Sequence, residues 1–242
     1  MFEVRSRSGR PPAVVGHRGA SGHAPENTLA SFALAAEMGA DAVECDVHLS
    51  ADGVPVVIHD DSLERTTSGR GPVTARTLAE LKSLDAGRGQ TIPTLAELLA
   101  WCRDRIPLSI EIKNGPIYHR GLPDRVVDLV REHGMVDRTS VISFDHFAIR
   151  RVKELEPRLA VGALFAARPI DGPAIARAAM ADALLPHWGF ATPDFVESAH
   201  AAGLAVSVWT VNEEAALRTV VDAGVDAIAT DYPDRILAAL VR

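Results

Sequence analysis

Eight short apolar runs alternate with eight helix-length amphipathic stretches along the whole chain, and no other feature constrains the fold as strongly. The runs lie at 13–16, 42–47, 108–112, 140–144, 160–165, 183–188, 205–211 and 226–230. The helical stretches lie at 28–38, 94–105, 123–133, 146–156, 172–181, 193–202, 213–223 and 233–241. Strands that read as nearly unbroken apolar runs are covered on both faces, as in parallel sheets. Helix start signals agree: Thr94 before Leu95, Thr192 before Pro193, and Asn212 before Glu213. Stop signals agree too, with Gly39, Gly134, Gly203 and Gly224 just past helices. Eight βα units in 242 residues predict a (β/α)8 TIM barrel built as a single domain over 1–242. An open doubly wound sheet usually has fewer strands and a Gly-rich first turn, and no G-x-G-x-x-G or P-loop is present. No internal repeat beyond the βα period stands out.

One segment breaks the alternation. Residues 54–59 (VPVVIH) are strand-like, yet only Ser50-Ala51-Asp52-Gly53 separates them from the second run. Parallel neighbours need a crossover of a dozen or more residues, so this is an antiparallel hairpin. A turn centred between 51 and 52 pairs 49 with 54, 47 with 56 and 44 with 59, which returns His59 to the level of Glu44. The following stretch, 60–93, is rich in Gly, Thr and Arg and carries no convincing helix. It reads as a short loop insertion over the same end of the barrel.

Barrel active sites sit at the C-terminal ends of the strands. There the sequence puts His17 and Arg18, Glu44 and Asp46, Glu111 and Lys113, Asp145, Trp188, Trp209 and Asn212, and Asp231; the hairpin adds His59 and Asp60. Period-2 alternation puts Glu44 and Asp46 on one face of their strand, and Glu111 and Lys113 on one face of theirs. Apolar neighbours suit the helix-facing side, so the charged residues point at the barrel axis. Three carboxylates converging there repel one another and require protons or a cation. An all-oxygen set suits a hard ion, Ca²⁺ or Mg²⁺. The structural alternative is a buried salt-bridge network with Arg18 and Lys113. Two histidines beside such a cluster can act as general base and general acid. The remaining histidines, His119, His133, His146 and His200 among them, read as surface or capping residues, and His23 has no assigned role.

Composition narrows the partners. A net charge of −7 argues against a broad nucleic-acid surface, though not against a small phosphate bound at a local positive site. No apolar run approaches the roughly 20 residues needed to span a bilayer, so no integral membrane segment is expected. The first residues, MFEVRSRSGRPP, lack the apolar core of a secretory signal. Cys45 and Cys102 are too few for a disulfide framework and read as reduced and buried, so a cytoplasmic location is expected.

The motifs together resemble a known family. They are H-R-G-A at 17–20, P-E-N-T at 25–28, G-A-D-A-V-E-C-D-V at 39–47, D-G-V-P-V-V-I-H-D at 52–60 and R-T-T at 65–67. They continue with I-P-T-L-A-E at 92–97, E-I-K at 111–113, S-F at 143–144 and W-T-V-N at 209–212. In this order and spacing they resemble the glycerophosphodiester phosphodiesterase family over about residues 14–235. The resemblance implies a TIM barrel that hydrolyses small-molecule glycerophosphodiesters to sn-glycerol 3-phosphate and an alcohol, in glycerol and lipid metabolism, with one divalent cation. It implies His17 and His59 as the acid/base pair and Glu44, Asp46 and Glu111 as metal ligands. It implies Arg18 and Lys113 as phosphate contacts and Trp209 as the wall beside glycerol. The rivals are a barrel glycosidase working with two carboxylates, and a non-catalytic phosphate-binding barrel.

Overall fold

The computed structural model describes residues 9–240. Residues 1–8 of the stretch read for a leader, and residue 241 of the expected last helix, lie outside that range. Among the described residues nine strands form: β1 Ala13–His17, β2 Ala42–Leu49, β3 Pro55–Val57, β4 Leu108–Ile112, β5 Thr139–Ser143, β6 Ala160–Phe165, β7 Ala183–Pro186, β8 Ala205–Val208 and β9 Ala227–Thr230. All but β3 run parallel in the order β1-β9-β8-β7-β6-β5-β4-β2, and β2 pairs back to β1, closing the barrel. The helices are α1 Leu29–Glu37, α2 Leu78–Lys82, α3 Leu95–Cys102, α4 Leu122–Glu132, α5 His146–Leu155, α6 Gly172–Ala179, α7 Pro193–Ala201, α8 Glu214–Ala223 and α9 Pro233–Leu240. With the short α2 set aside, each expected βα unit has its strand and helix within a few residues of the expected bounds.

Local signals explain the helix starts. Thr94 accepts from the Glu97 amide while the Glu97 side chain accepts from Thr94 N–H, a capping box. Thr28, Asp145, Asp171 and Thr192 cap α1, α5, α6 and α7 in the simpler way. Asn212 does not cap α8. Its Nδ2 donates to Asp231 Oδ2 at 2.6 Å instead, and its Oδ1 accepts from the Asp231 amide. The Asp231 amide and the Thr230 hydroxyl thus occupy the oxygen that a helix cap would use.

The outward strand residues and the helices' inner faces form one apolar layer, with Val43, Cys45, Val47, Ile110, Ile112, Val141 and Val161 fully buried. Cys45 and Cys102 are both free and buried, and burial pushes the Cys102 thiol up to about 12. Inside the barrel the apolar filling is much smaller: Ile142, Leu164, Ala183, Leu185 and Ala205, with Trp209 against them. The lower inward positions are Ala13, Ala42, Ser109, Ser140 and Ala227, too small to fill the axis as branched side chains do in most such barrels. A bore of about 500 Å³ results, running from the strand tops to residues at the strand starts such as Pro107 and Arg138.

Three pairs of strands are locked at that lower end by the same device, a repeat missed in the sequence. Asp41, Asp182 and Asp226 each precede a strand. Each donates its amide to a valine carbonyl of the preceding barrel strand (Val14, Val161, Val206) at 2.8 Å. Each also takes that valine's N–H on Oδ2 at 2.8 Å. His200, expected as a surface or capping residue, is buried because its Nε2 meets the same Asp226 Oδ2 at 2.7 Å. Asp226→Ala orphans both donors in a buried place. At about 1–2 kcal/mol per orphaned group, the expected loss is about 2–4 kcal/mol. For a chain of this size that is roughly 5–15 °C in Tm. An unchanged melting curve would show that the lock does not bear load.

The hairpin forms with a register one residue away from the expected one. Leu49 faces Pro55, His48 faces Val56 and Val47 faces Val57. The turn is centred on Asp52 because Ser50 Oγ accepts from the Val54 amide and Gly53 adopts φ +77°. The insertion is also more than a loop. A short 3₁₀ turn at Val73–Ala75 and α2, whose N-terminus carries its own capping box at Thr77, pack over a separate small core of Val56, Ile58, Leu63, Val73, Leu81, Ala86 and Ile92. Five helical residues are too few for a periodic signal, so the sequence showed only the turn-rich composition.

Candidate active site

The upper end of the bore gathers the strand-end residues. His17, Arg18, Glu44, His59, Glu111, Lys113, Phe144 and Trp209 all line it. Trp188 instead sits in a 3₁₀ turn just beyond β7.

Register puts the acids together. Glu44 lies beside His17 across β1–β2, and Asp46 lies beside Glu111 across β2–β4. Their side chains converge, with one oxygen from each of Glu44, Asp46 and Glu111 within 4.8 Å of the others. All three are buried, Asp46 completely. Glu44 Oε1 and Asp46 Oδ1 are sealed from solvent and have no hydrogen-bond partner. Two buried carboxylate oxygens without a hydrogen-bond donor, beside a third acid, fit a hard divalent cation. Burial together with the charges of Asp46 and Glu111 pushes the Glu44 carboxyl well above its ordinary range. Burial and the Asp46 charge push Glu111 up to about 7. Burial also works against the Asp46 carboxylate, but Arg18 and Lys113 outweigh it and hold Asp46 below its usual value. The salt-bridge network read as the alternative to metal is therefore present as well: Lys113 Nζ reaches Glu111 Oε1 at 2.7 Å and Asp46 Oδ1 at 3.7 Å, and Arg18 Nε lies 3.2 Å from Asp46 Oδ2.

The first loop is built around Arg18. Its backbone is left-handed, φ +57°, which aims its amide at Glu44 Oε2 at 3.0 Å. Gly19 follows at φ +84°, and a Cβ there would lie 2.4 Å from Ser31 Oγ, so only glycine fits against α1. Asn27 braces Asp46, its Nδ2 donating to Asp46 Oδ2 at 2.9 Å.

Each of the two expected histidines has its own carboxylate. His17 Nδ1 donates to Asp231 Oδ1 at 2.7 Å, and Asp231 also accepts from Ser21 and Asn212. Burial pushes Asp231 up, but those hydrogen bonds outweigh it and hold the group at about 2. His59 Nδ1 donates to Asp60 Oδ1 at 2.6 Å, while its Nε2 lies 3.2 Å from Lys113 Nζ. Such partners fix the tautomer, turning Nε2 of each ring away from its carboxylate. Burial and the nearby Lys113 and Arg18 charges lower His59, against the opposing pull of Asp46.

His48 was missed. It follows Asp46 by two residues and so shares its face, a signal available in the sequence. Its Nε2 donates to the His59 carbonyl at 3.0 Å, and its Nδ1 lies 2.9 Å from His119 Nε2. Both rings are buried, so the surface-or-capping reading of His119 is corrected, and burial with the His48 charge lowers His119 to about 4. His133 and His146 do bond carbonyls, those of Leu129 and Leu164. His23 pairs with Asp234 at 3.0 Å. On the far wall, the Trp209 indole N–H donates to the Leu185 carbonyl, and Phe144 and His187 meet its ring edge-to-face at 5.3 Å.

Comparison with known proteins agrees with this architecture. The profile of the Glycerophosphoryl diester phosphodiesterase family matches residues 17–235. A glycerophosphodiester phosphodiesterase of Caldanaerobacter subterraneus subsp. tengcongensis is 37% identical over 232 residues, covering 93% of this chain and 96% of the relative. Among solved structures, an Oleispira antarctica phosphodiesterase in complex with the product sn-glycerol-3-phosphate superposes with a TM-score of 0.88 at 36% identity, covering 98% of this chain and 99% of that one. A glycerophosphodiester phosphodiesterase from Agrobacterium tumefaciens superposes at 0.82 with 34% identity, covering 94% and 99%.

Proposed function

Because the chain belongs to the glycerophosphoryl diester phosphodiesterase family, we propose how its own residues carry out the hydrolysis of glycerophosphodiesters to sn-glycerol 3-phosphate and an alcohol. The protein is a glycerophosphodiester phosphodiesterase. The observation that carries the reading is two carboxylate-held imidazoles lining the same bore as a buried three-acid cluster with orphaned oxygens. Glu44, Asp46 and Glu111 would hold one hard divalent cation, Ca²⁺ or Mg²⁺. Bound there, it would polarise the phosphoryl oxygens and offset their charge.

The protein's own groups do the rest. The Arg18 guanidinium and Lys113 ammonium hold phosphoryl oxygens. Trp209 and Phe144 give the glycerol carbons an apolar wall. One imidazole takes the proton of the glycerol 2-hydroxyl as that oxygen attacks phosphorus. The other gives a proton to the departing alcohol oxygen, leaving a cyclic phosphate. Water then opens the ring with the two imidazoles in exchanged roles. Asp231 and Asp60 keep both rings in the required tautomer. One domain spanning the barrel and its insertion suffices, and free buried cysteines suit a cytoplasmic setting. No helix among the described residues is long and apolar enough to cross a membrane.

The test is a pair of substrates with the same leaving alcohol, one with and one without the 2-hydroxyl. The 2-deoxy diester is expected to turn over at least about 10²-fold more slowly, because a neighbouring hydroxyl has an effective molarity of up to about 10⁵–10⁸ M. Equal turnover would mean that water attacks phosphorus directly and that no cyclic phosphate forms.

A further inference from the structure

The R-T-T motif has no part in the chemistry above, yet Arg65 is the most heavily engaged arginine near the site. Its Nε donates to Asp60 Oδ2 at 2.7 Å and its Nη2 to Asp60 Oδ1 at 2.8 Å. Its Nη1 donates to Glu26 Oε2 at 2.6 Å and its Nη2 also to Glu26 Oε1 at 2.8 Å. Both carboxylates are thus gripped in bidentate fashion by one guanidinium. Glu26, from the P-E-N-T motif, is held on its other side by Arg18 Nη1 at 2.9 Å. Asp60 is the carboxylate that takes the His59 Nδ1 proton. A continuous chain results: His59, Asp60, Arg65, Glu26, Arg18, Asp46. It ties the insertion to the first loop and joins an imidazole to the acid cluster.

We infer that Arg65 is a positioning residue for the reaction, acting on His59 through Asp60; the inference rests on the acid/base role given to His59 above. The geometry asks two things of position 65. The fork must fix the plane of the Asp60 carboxylate, and with it the orientation of the His59 ring. Its charge must also offset Asp60, so that the carboxylate orients the imidazole without pulling a second proton onto it. His17 has no such arrangement, since Asp231 takes its other hydrogen bonds from the neutral groups Ser21 and Asn212. Lysine at 65 would supply the charge but could not make four directed bonds. The other groups facing His59 are Lys113 from the end of β4, Asp46 and His48 from β2, and Arg18 from the first loop. None of them touches the Asp60 carboxylate.

The experiment compares wild type, R65A, R65K, D60N, R65A/D60N and H59A on one glycerophosphodiester, with melting curves for each. R65A is expected to lose about 10–100-fold in kcat with KM within about threefold. One limb of its kcat/KM pH profile should move to higher pH, because Asp60 without its guanidinium holds the His59 proton more tightly. That limb is His59's own: an acid limb makes it the base of the limiting step, an alkaline limb the acid. R65K should keep the limb in place and still lose kcat. In the D60N background, removing Arg65 should cost less than about threefold more. A raised KM with kcat retained would make Arg65 a substrate ligand and overturn the inference. An unmoved limb in R65A, or the full R65A loss in the D60N background, would overturn it too. Should R65A fail to fold, R65K decides, since undiminished kcat there sinks the idea. Near-normal activity in H59A would instead remove the acid/base reading itself, while an inactive H59A beside a normal R65A removes only the role of Arg65.

Discussion

Alanine at His17 or at His59 is expected to lower kcat by about 10²–10⁴-fold, with the melting temperature little changed. The two rings are only partly buried and line the bore, so truncation leaves a solvent-filled space and no orphaned core. What disappears is the proton transfer. The losses should diverge on a substrate whose leaving group is p-nitrophenolate, which departs without a proton. The variant lacking the general acid should recover much of its rate there, and the variant lacking the base should not. The comparison is made by steady-state kinetics of both variants on an alkyl and a nitrophenyl glycerophosphodiester. A loss below tenfold for either histidine would remove that residue from the proton-transfer pair.

Placing these residues from sequence worked where geometry is carried by simple periods. Glu44 and Asp46, or Glu111 and Lys113, differ by two residues on a strand, so their common face follows from the pleat. Short crossovers put strand ends at one end of the barrel, so His17, Trp209 and Asp231 fall near those acids by topology alone. The period fails where side-chain bonds decide. The hairpin register moved by one because Ser50 Oγ captures the Val54 amide, a competition that turn length does not reveal. Asn212 looked like a helix cap, but its amide goes to Asp231. The burial of His119 and His200 depends on partners 71 and 26 residues away, which no local pattern encodes. His48 was legible by parity. Arg65 was visible only as part of a motif whose purpose needs Glu26 and Asp60 in space.

Chelation should abolish turnover, and the accompanying stability change should depend on pH with a definite sign. Without a cation, burial and mutual repulsion hold Glu44 well above the usual carboxyl range and Glu111 at about 7. A carboxyl raised on folding contributes stability that is present below its unfolded value, about 4.3, and lost as pH rises through its folded one. The cation-free protein should therefore lose the Glu111 part of this contribution between about pH 4.5 and 7, as that carboxyl is forced to ionise. Cation binding needs both carboxyls ionised, so it meets less competition from protons at higher pH. Ca²⁺ or Mg²⁺ at 100 times its dissociation constant adds about 2.7 kcal/mol. In Tm that is about 5–10 °C for a chain of this length. The gain should be present at pH 8 and largely gone at pH 5.5. Glu44→Gln should flatten it at both pH values while leaving the barrel folded. Equal gains at both pH values, seen by scanning fluorimetry with and without a chelator, would place the cation elsewhere, and full activity after chelation would dispense with it.

The three aspartate locks all lie at strand starts, at the opposite end of the barrel from the first loop, the hairpin and the insertion that hold the reacting groups. Closure of the barrel is thus secured at the end away from the reacting groups. Loops at the other end can lengthen, shorten or exchange residues without unfastening a strand. For a lineage, this means that new head groups can be explored by editing one rim of the molecule. For an engineer, it marks the insertion beyond Arg65, residues 66–93, as the segment to graft and Asp41, Asp182 and Asp226 as positions to leave alone.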